Sequence, residues 1–139
     1  MSAKDIFHNT VRSALEKDGW TITNEPLFLQ PSQRAKMKID LGAEKLISAE
    51  KGARRIAVEV KSFVGLSTIS EFHTAVGQCF NYKIALEKIE PERVLYLAVP
   101  TDIYHNFFTD SFVQEVIERL PIKLLVFVVE KQEIALWKD

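Results

Sequence analysis

The sequence predicts an α/β fold, a central sheet of mixed strand direction flanked by helices, in the order α-β-β-β-α-β-α-β-β. Three observations carry this reading. Apolar residues step at helical spacing near the N-terminus and again over 67–88. Short continuous apolar runs over 93–99 and 123–130 have the length and β-branched content of buried strands. Between them, Ile56, Val58 and Val60 alternate with Ala57, Glu59 and Lys61, the period-two pattern of a strand.

Taken in order, Ser2 can cap a first helix over 3–17, with Ile6, Phe7, Val11, Ala14 and Leu15 as its apolar stripe. Asp18-Gly19 ends it, and Trp20 to Thr23 begins a strand. Glu25-Pro26 and Gln30-Pro31 punctuate the connection that follows. Residues from about 37 to 49 and from about 53 to 63 read as a hairpin turning at Glu50-Lys51-Gly52. Gly52 can take the positive φ that such a loop needs near its end. Ile69, Phe72, Val76, Phe80 and Ile84 mark the long helix over 67–88. After the strand ending at Pro100, Asp110 or Ser111 caps a helix to Arg119, and Pro121 follows. Residues 123–130 and 133–137 are the last two strands, across Lys131-Gln132.

A length of 139 residues suits a single domain spanning 1–139. The apolar share of 47% and charged share of 27% are those of a soluble globular chain. A net charge of −1 argues against bulk electrostatic attachment to nucleic acid or an anionic membrane, and leaves room for local basic patches. Arg34, Lys36 and Lys38 form one such patch, and Lys51, Arg54 and Arg55 another. Cys79 is the single cysteine, so no intramolecular disulfide forms, and a reducing cytoplasm is expected. In its helical, apolar setting it reads as a buried inert thiol. No apolar run has the length of a membrane span, and no signal-peptide pattern opens the chain.

The chemistry lies in the hairpin. Glu59 and Lys61 are two apart in a strand and share a face. If Ala49 and Gly52 bracket the loop, Asp40 falls opposite Lys61 on that face. A one-residue slip would separate them. Two carboxylates and an ammonium that converge this way can hold Mg²⁺ or Mn²⁺ and activate water against a phosphodiester. The competing reading is a solvated strand face with two ion pairs.

Asp40 followed by Glu59-Val60-Lys61, between an N-terminal helix and a long helix, resembles the PD-(D/E)XK nuclease superfamily. The resemblance implies a restriction-endonuclease-like core. It makes Asp40 and Glu59 metal ligands and gives Lys61 the attacking water and the phosphate charge. Gln78 and Tyr82 match the Gln-x-x-x-Tyr signature that many members carry in the next helix. Over its whole length the chain resembles the XisH-type fdxN-element excision controlling factors. The matching blocks are 3–8, 38–44, 57–63 and 77–82. That resemblance implies a role in programmed DNA-element excision in nitrogen-fixing cyanobacteria. The implied partners are DNA, a companion excision factor and a site-specific recombinase, and a homodimer is plausible on size. Related nucleases often carry a Glu after an aromatic in the first helix. Here His8 follows Phe7, and it becomes a supporting candidate beside Gln78 and Tyr82. Two functions follow: a metal-dependent endonuclease, or a non-catalytic protein–DNA or protein–protein adaptor on a nuclease scaffold.

Overall fold

The computed structural model describes residues 2–48 and 52–139. Helix α1 (Ala3–Lys17) starts at Ser2, whose hydroxyl accepts from the Asp5 backbone N–H, and ends before Gly19 at φ +92°. Strand β1 (Thr21–Asn24) follows, then β2 (Leu27–Leu29), β3 (Met37–Ile39), β4 (Leu41–Ser48) and β5 (Gly52–Val60). The long helix α2 (Thr68–Ile89) leads into β6 (Arg93–Pro100). A short α3 (Thr101–Ile103) continues as a π-helical turn over Tyr104–Phe108 before α4 (Ser111–Arg119). Strands β7 (Lys123–Val128) and β8 (Glu133–Lys138) close the chain.

Six strands form one sheet in the order β1-β4-β5-β6-β7-β8. β5, β6 and β7 run parallel, and the other neighbours pair antiparallel. This is the mixed sheet of a restriction-endonuclease-like core, with helices on both sides. Two consecutive crossovers step in the same direction across the sheet. Their common handedness puts α2 and α4 on one face. Phe72, Cys79, Val113 and Ile117 there meet Ala57, Leu97 and Val126. The other face is left to α1, where Val11 and Leu15 meet Leu41, Ile56, Val58 and Phe127.

Three expectations change. The segment over 37–49 is not one strand. It breaks at Asp40, and β3 leaves the main sheet to pair with β2, Leu27 opposite Ile39. The buried face of α2 is Phe72, Ala75, Cys79, Tyr82 and Leu86, while Ile69, Phe80 and Ile84 are exposed. On α1, Ile6 lies outside the buried stripe and Thr10 lies in it. The expected turn residues Glu50 and Lys51 lie outside the described residues. Gly52 takes φ +72°, as the hairpin reading requires.

Candidate active site

The hairpin sets the site. Ser48, not Ala49, pairs with Gly52, and the ladder shifts once more between Leu46 and Ser48. From there Leu41 pairs with Val58, so Asp40 comes level with Glu59, not with Lys61 as the sequence suggested. The two one-residue shifts add to two. Side chains alternate with period two, so an even shift keeps Asp40 with Glu59 and Lys61 where a single shift would have split them.

Two crossed hydrogen bonds hold the acids together. The Asp40 backbone N–H donates to Glu59 Oε1 at 3.3 Å. The Val60 backbone N–H donates to Asp40 Oδ2 at 2.8 Å. The strand break at Asp40 makes this possible, because it turns one N–H away from the ladder and toward a carboxylate. Lys61 Nζ stands 3.5 Å from Glu59 Oε2, and the Lys61 backbone N–H donates to Ala98 O at 3.0 Å, which fixes the stem of that side chain.

Glu59 is only 6% exposed. Burial first, and the Asp40 carboxylate second, push its pKa from 4.5 up to about 7. The Lys61 ammonium and the bond from the Asp40 N–H pull the other way without winning. A carboxylate raised this far by burial, and further by a neighbouring carboxylate, is a place where a divalent cation lowers the energy. Hard cations take carboxylate oxygens, and the donor set of Asp40 and Glu59 fits one. Among the described residues no group of three or more His, Cys, Asp or Glu side chains is placed to hold a metal. The remaining ligands would have to be water and substrate oxygens.

Helix α2 lays its small-residue face over the acids. Burial first, then Glu59, push the Cys79 thiol up to about 12, so this fully buried cysteine stays protonated. The Tyr82 hydroxyl is raised above its ordinary value by burial, then by Glu59 and Asp40. Gln78 Oε1, four residues back, is buried and meets no hydrogen-bond donor among the described residues. His8 is engaged elsewhere. Its Nε2 lies 2.7 Å from Glu25 Oε2, and Arg12 pairs with the other oxygen of that carboxylate.

Beyond Lys61 the chain turns sharply. Phe63 sits at φ +55°, unusual for an aromatic residue, and is held there by a near-perpendicular ring contact with Phe108 at 5.4 Å. Beside this turn opens a polar notch of about 190 Å³ lined by Lys4, Phe7, Val60, Lys61, Ser62 and Glu71. Lys4 and Glu71 were not legible as site residues, since each lies on a separate helix outside the strand pattern. Glu44 is tied to Arg55 at 2.9 Å further down the hairpin. A more apolar cavity of about 160 Å³ lies between α2 and the start of β6, away from the acid pair.

Comparison with known proteins shows the family. The family model described as XisH protein matches residues 1–135. The chain belongs to the XisH family. A crystal structure of an XisH family protein from Nostoc punctiforme PCC 73102 is 47% identical, with a TM-score of 0.88, covering 97% of this chain and 100% of that one. A crystal structure of an fdxN element excision controlling factor protein from Anabaena variabilis is also 47% identical at TM-score 0.88, covering 97% of this XisH-family chain and 99% of the other. No curated protein matches the chain. No helix among the described residues is long and apolar enough to cross a membrane.

Proposed function

We propose that this XisH-family chain is an element-excision controlling factor whose hairpin site acts on a DNA phosphodiester with the help of Mg²⁺ or Mn²⁺. The observation that carries the reading is the crossed pair, Asp40 N–H to Glu59 and Val60 N–H to Asp40, with Lys61 Nζ at 3.5 Å. Two carboxylates held against each other by directed bonds favour positive charge beside them, which Lys61 supplies in part and a cation would complete.

Asp40 and Glu59 would hold the cation. When bound, it supplies positive charge to a phosphoryl oxygen and lowers the pKa of water. Lys61, steadied through its backbone by β6, presents its ammonium to the same phosphate and offsets charge that grows in the transition state. Tyr82 and Cys79 close the buried side and keep bulk water from the acids. Exposed Arg34, Lys36 and Lys38 lead up to Asp40 along the chain and suit a DNA backbone. The partners of this reading are DNA, a companion excision factor and a site-specific recombinase; a homodimer would place two sites on one duplex.

The test is a calorimetric Mn²⁺ titration of wild type against Asp40→Ala, followed by DNA cleavage assays. Wild type should bind Mn²⁺ and Asp40→Ala should not. Glu59→Ala should abolish cleavage, and Lys61→Ala should keep metal affinity while losing about 10²–10³-fold in rate. Equal loss of metal affinity in Lys61→Ala and Glu59→Ala would contradict the assigned roles.

A second reading is a non-catalytic adaptor. On its side stands the sparse donor set, two carboxylates only, with His8 engaged by Glu25. Metal binding without cleavage of duplex, branched or single-stranded DNA would favour it.

A further inference from the structure

The notch beside Lys61 lies next to the acid pair and is built from three separate elements. Lys4 and Phe7 come from α1, Val60 to Ser62 from the end of β5, and Glu71 from the first turns of α2. Its volume of about 190 Å³ leaves room for one tetrahedral anion. Two ammonium groups and the Ser62 hydroxyl line it against one carboxylate. That carboxylate is already committed, since Glu71 Oε2 accepts from the Gly65 backbone N–H at 3.0 Å and so braces the loop after β5. Lys61 belongs to both places: it lines the notch, and its Nζ reaches Glu59. The notch is therefore continuous with the acid pair and has the opposite charge balance.

We infer that this notch seats a backbone phosphate next to the one that faces Asp40 and Glu59, with Lys4 as its principal contact and Ser62 as a hydroxyl donor. The inference rests on the phosphodiester reading and adds a positioning residue to it. Lys4 is exposed in the first turn of α1, where an ammonium on a flexible stem can follow the phosphate as the strand settles. It acts on binding and orientation, not on the chemical step.

The measurement is the salt dependence of DNA binding in EDTA, with no cleavage, using a labelled duplex and a labelled single strand between about 50 and 200 mM salt. Lys4→Ala should lower the slope of log affinity against log salt by about 0.9 on duplex and about 0.7 on the single strand. Lys4→Arg should restore the slope. Lys88→Ala, at the far end of α2 and about 25 Å from Glu71 along the helix, should leave it unchanged. An unchanged slope in Lys4→Ala while wild type binds DNA would overturn the inference alone. So would an equal drop in Lys88→Ala, which would mark a general charge effect. Inorganic phosphate that binds wild type but not Lys4→Ala, with the DNA slope unchanged, would also overturn it, by making the notch a free-anion site. Wild type with no salt-dependent affinity for either DNA would remove the phosphodiester reading itself.

Discussion

Arg93 and Glu59 are both buried, at 7% and 6% exposure, on neighbouring parallel strands and on the α2 side of the sheet. Arg93 is surrounded by acceptors. Its Nη1 donates to Ile56 O at 2.8 Å and its Nη2 to Glu90 at 3.2 Å. The space beneath it is kept open by Gly42, where an added Cβ would lie 2.9 Å from Nη1 and 2.8 Å from Asn24 Oδ1. Only Nε finds no partner among the described residues. Glu59 has a cation at 3.5 Å, but burial, and after it the second carboxylate against it, raise its pKa to about 7. One buried charge is matched by its surroundings and holds strands together. The other is mismatched, and the mismatch is the capacity to bind. Burial of a charge says little about its role; the sign of its neighbours says more.

The largest expected effect breaks the matched side. Arg93→Ala should cost about 3 kcal/mol of stability in urea unfolding, by leaving Ile56 O and Glu90 without their donor. Mn²⁺ affinity in the folded fraction should stay as in wild type. Coupled loss of both would mean that the two charges form one network.

On the mismatched side the sign reverses. The folded chain holds the Glu59 proton more tightly than the unfolded chain does. Between about pH 4.5 and about 7 the folded state binds the extra proton, so this group's contribution is full below that window and is lost as pH rises through it. Glu59→Gln should therefore stabilise the protein at pH 8 and do so much less at pH 4.5. Thermal melts at the two values would show it; a destabilised Gln variant at pH 8 would mean that Lys61 outweighs burial and Asp40 together. A cation must displace the same proton, so wild-type Mn²⁺ affinity in calorimetry should climb with pH to about 7 and then level off.

The smallest effect calibrates the other two. Glu44 and Arg55 pair at 2.9 Å on the same hairpin, half exposed. Glu44→Ala should change stability by under about 0.5 kcal/mol and leave metal affinity alone. A loss of Mn²⁺ binding in that variant would place Glu44 in the site after all.

The sequence carried the hairpin well because alternation survives a miscounted turn. The exact pairing was wrong by two, yet Asp40, Glu59 and Lys61 stayed together, since only parity decides the face. The β2–β3 ribbon was not legible, because β2 has only three residues between Pro26 and Pro31 and leaves no period to read, while Met37–Ile39 reads as the start of a longer strand. The face of α2 was misread for a different reason. Ile69, Phe80 and Ile84 make an apolar stripe of their own, while the buried side is carried partly by the small residues Ala75, Cys79 and Ala85. A helix with two apolar phases offers two answers, and close packing against the sheet takes the one with small residues. The π-helical turn over Tyr104–Phe108, which packs Phe108 under Phe63, left no sequence signal either.

The crossed bonds between Asp40 and Glu59 also bear on how such a site can be inherited. Each carboxylate is located by a backbone N–H next to the other, so neither has a place of its own. Replacing Asp40 strands the Val60 N–H, and replacing Glu59 strands the Asp40 N–H. A lineage that gave up the acceptor at either position would carry the cost of the orphaned donor, and losing the second acceptor would orphan a second donor. An amide in place of either acid keeps a side-chain oxygen for the N–H, so the charge can be given up at a site where the acceptor cannot.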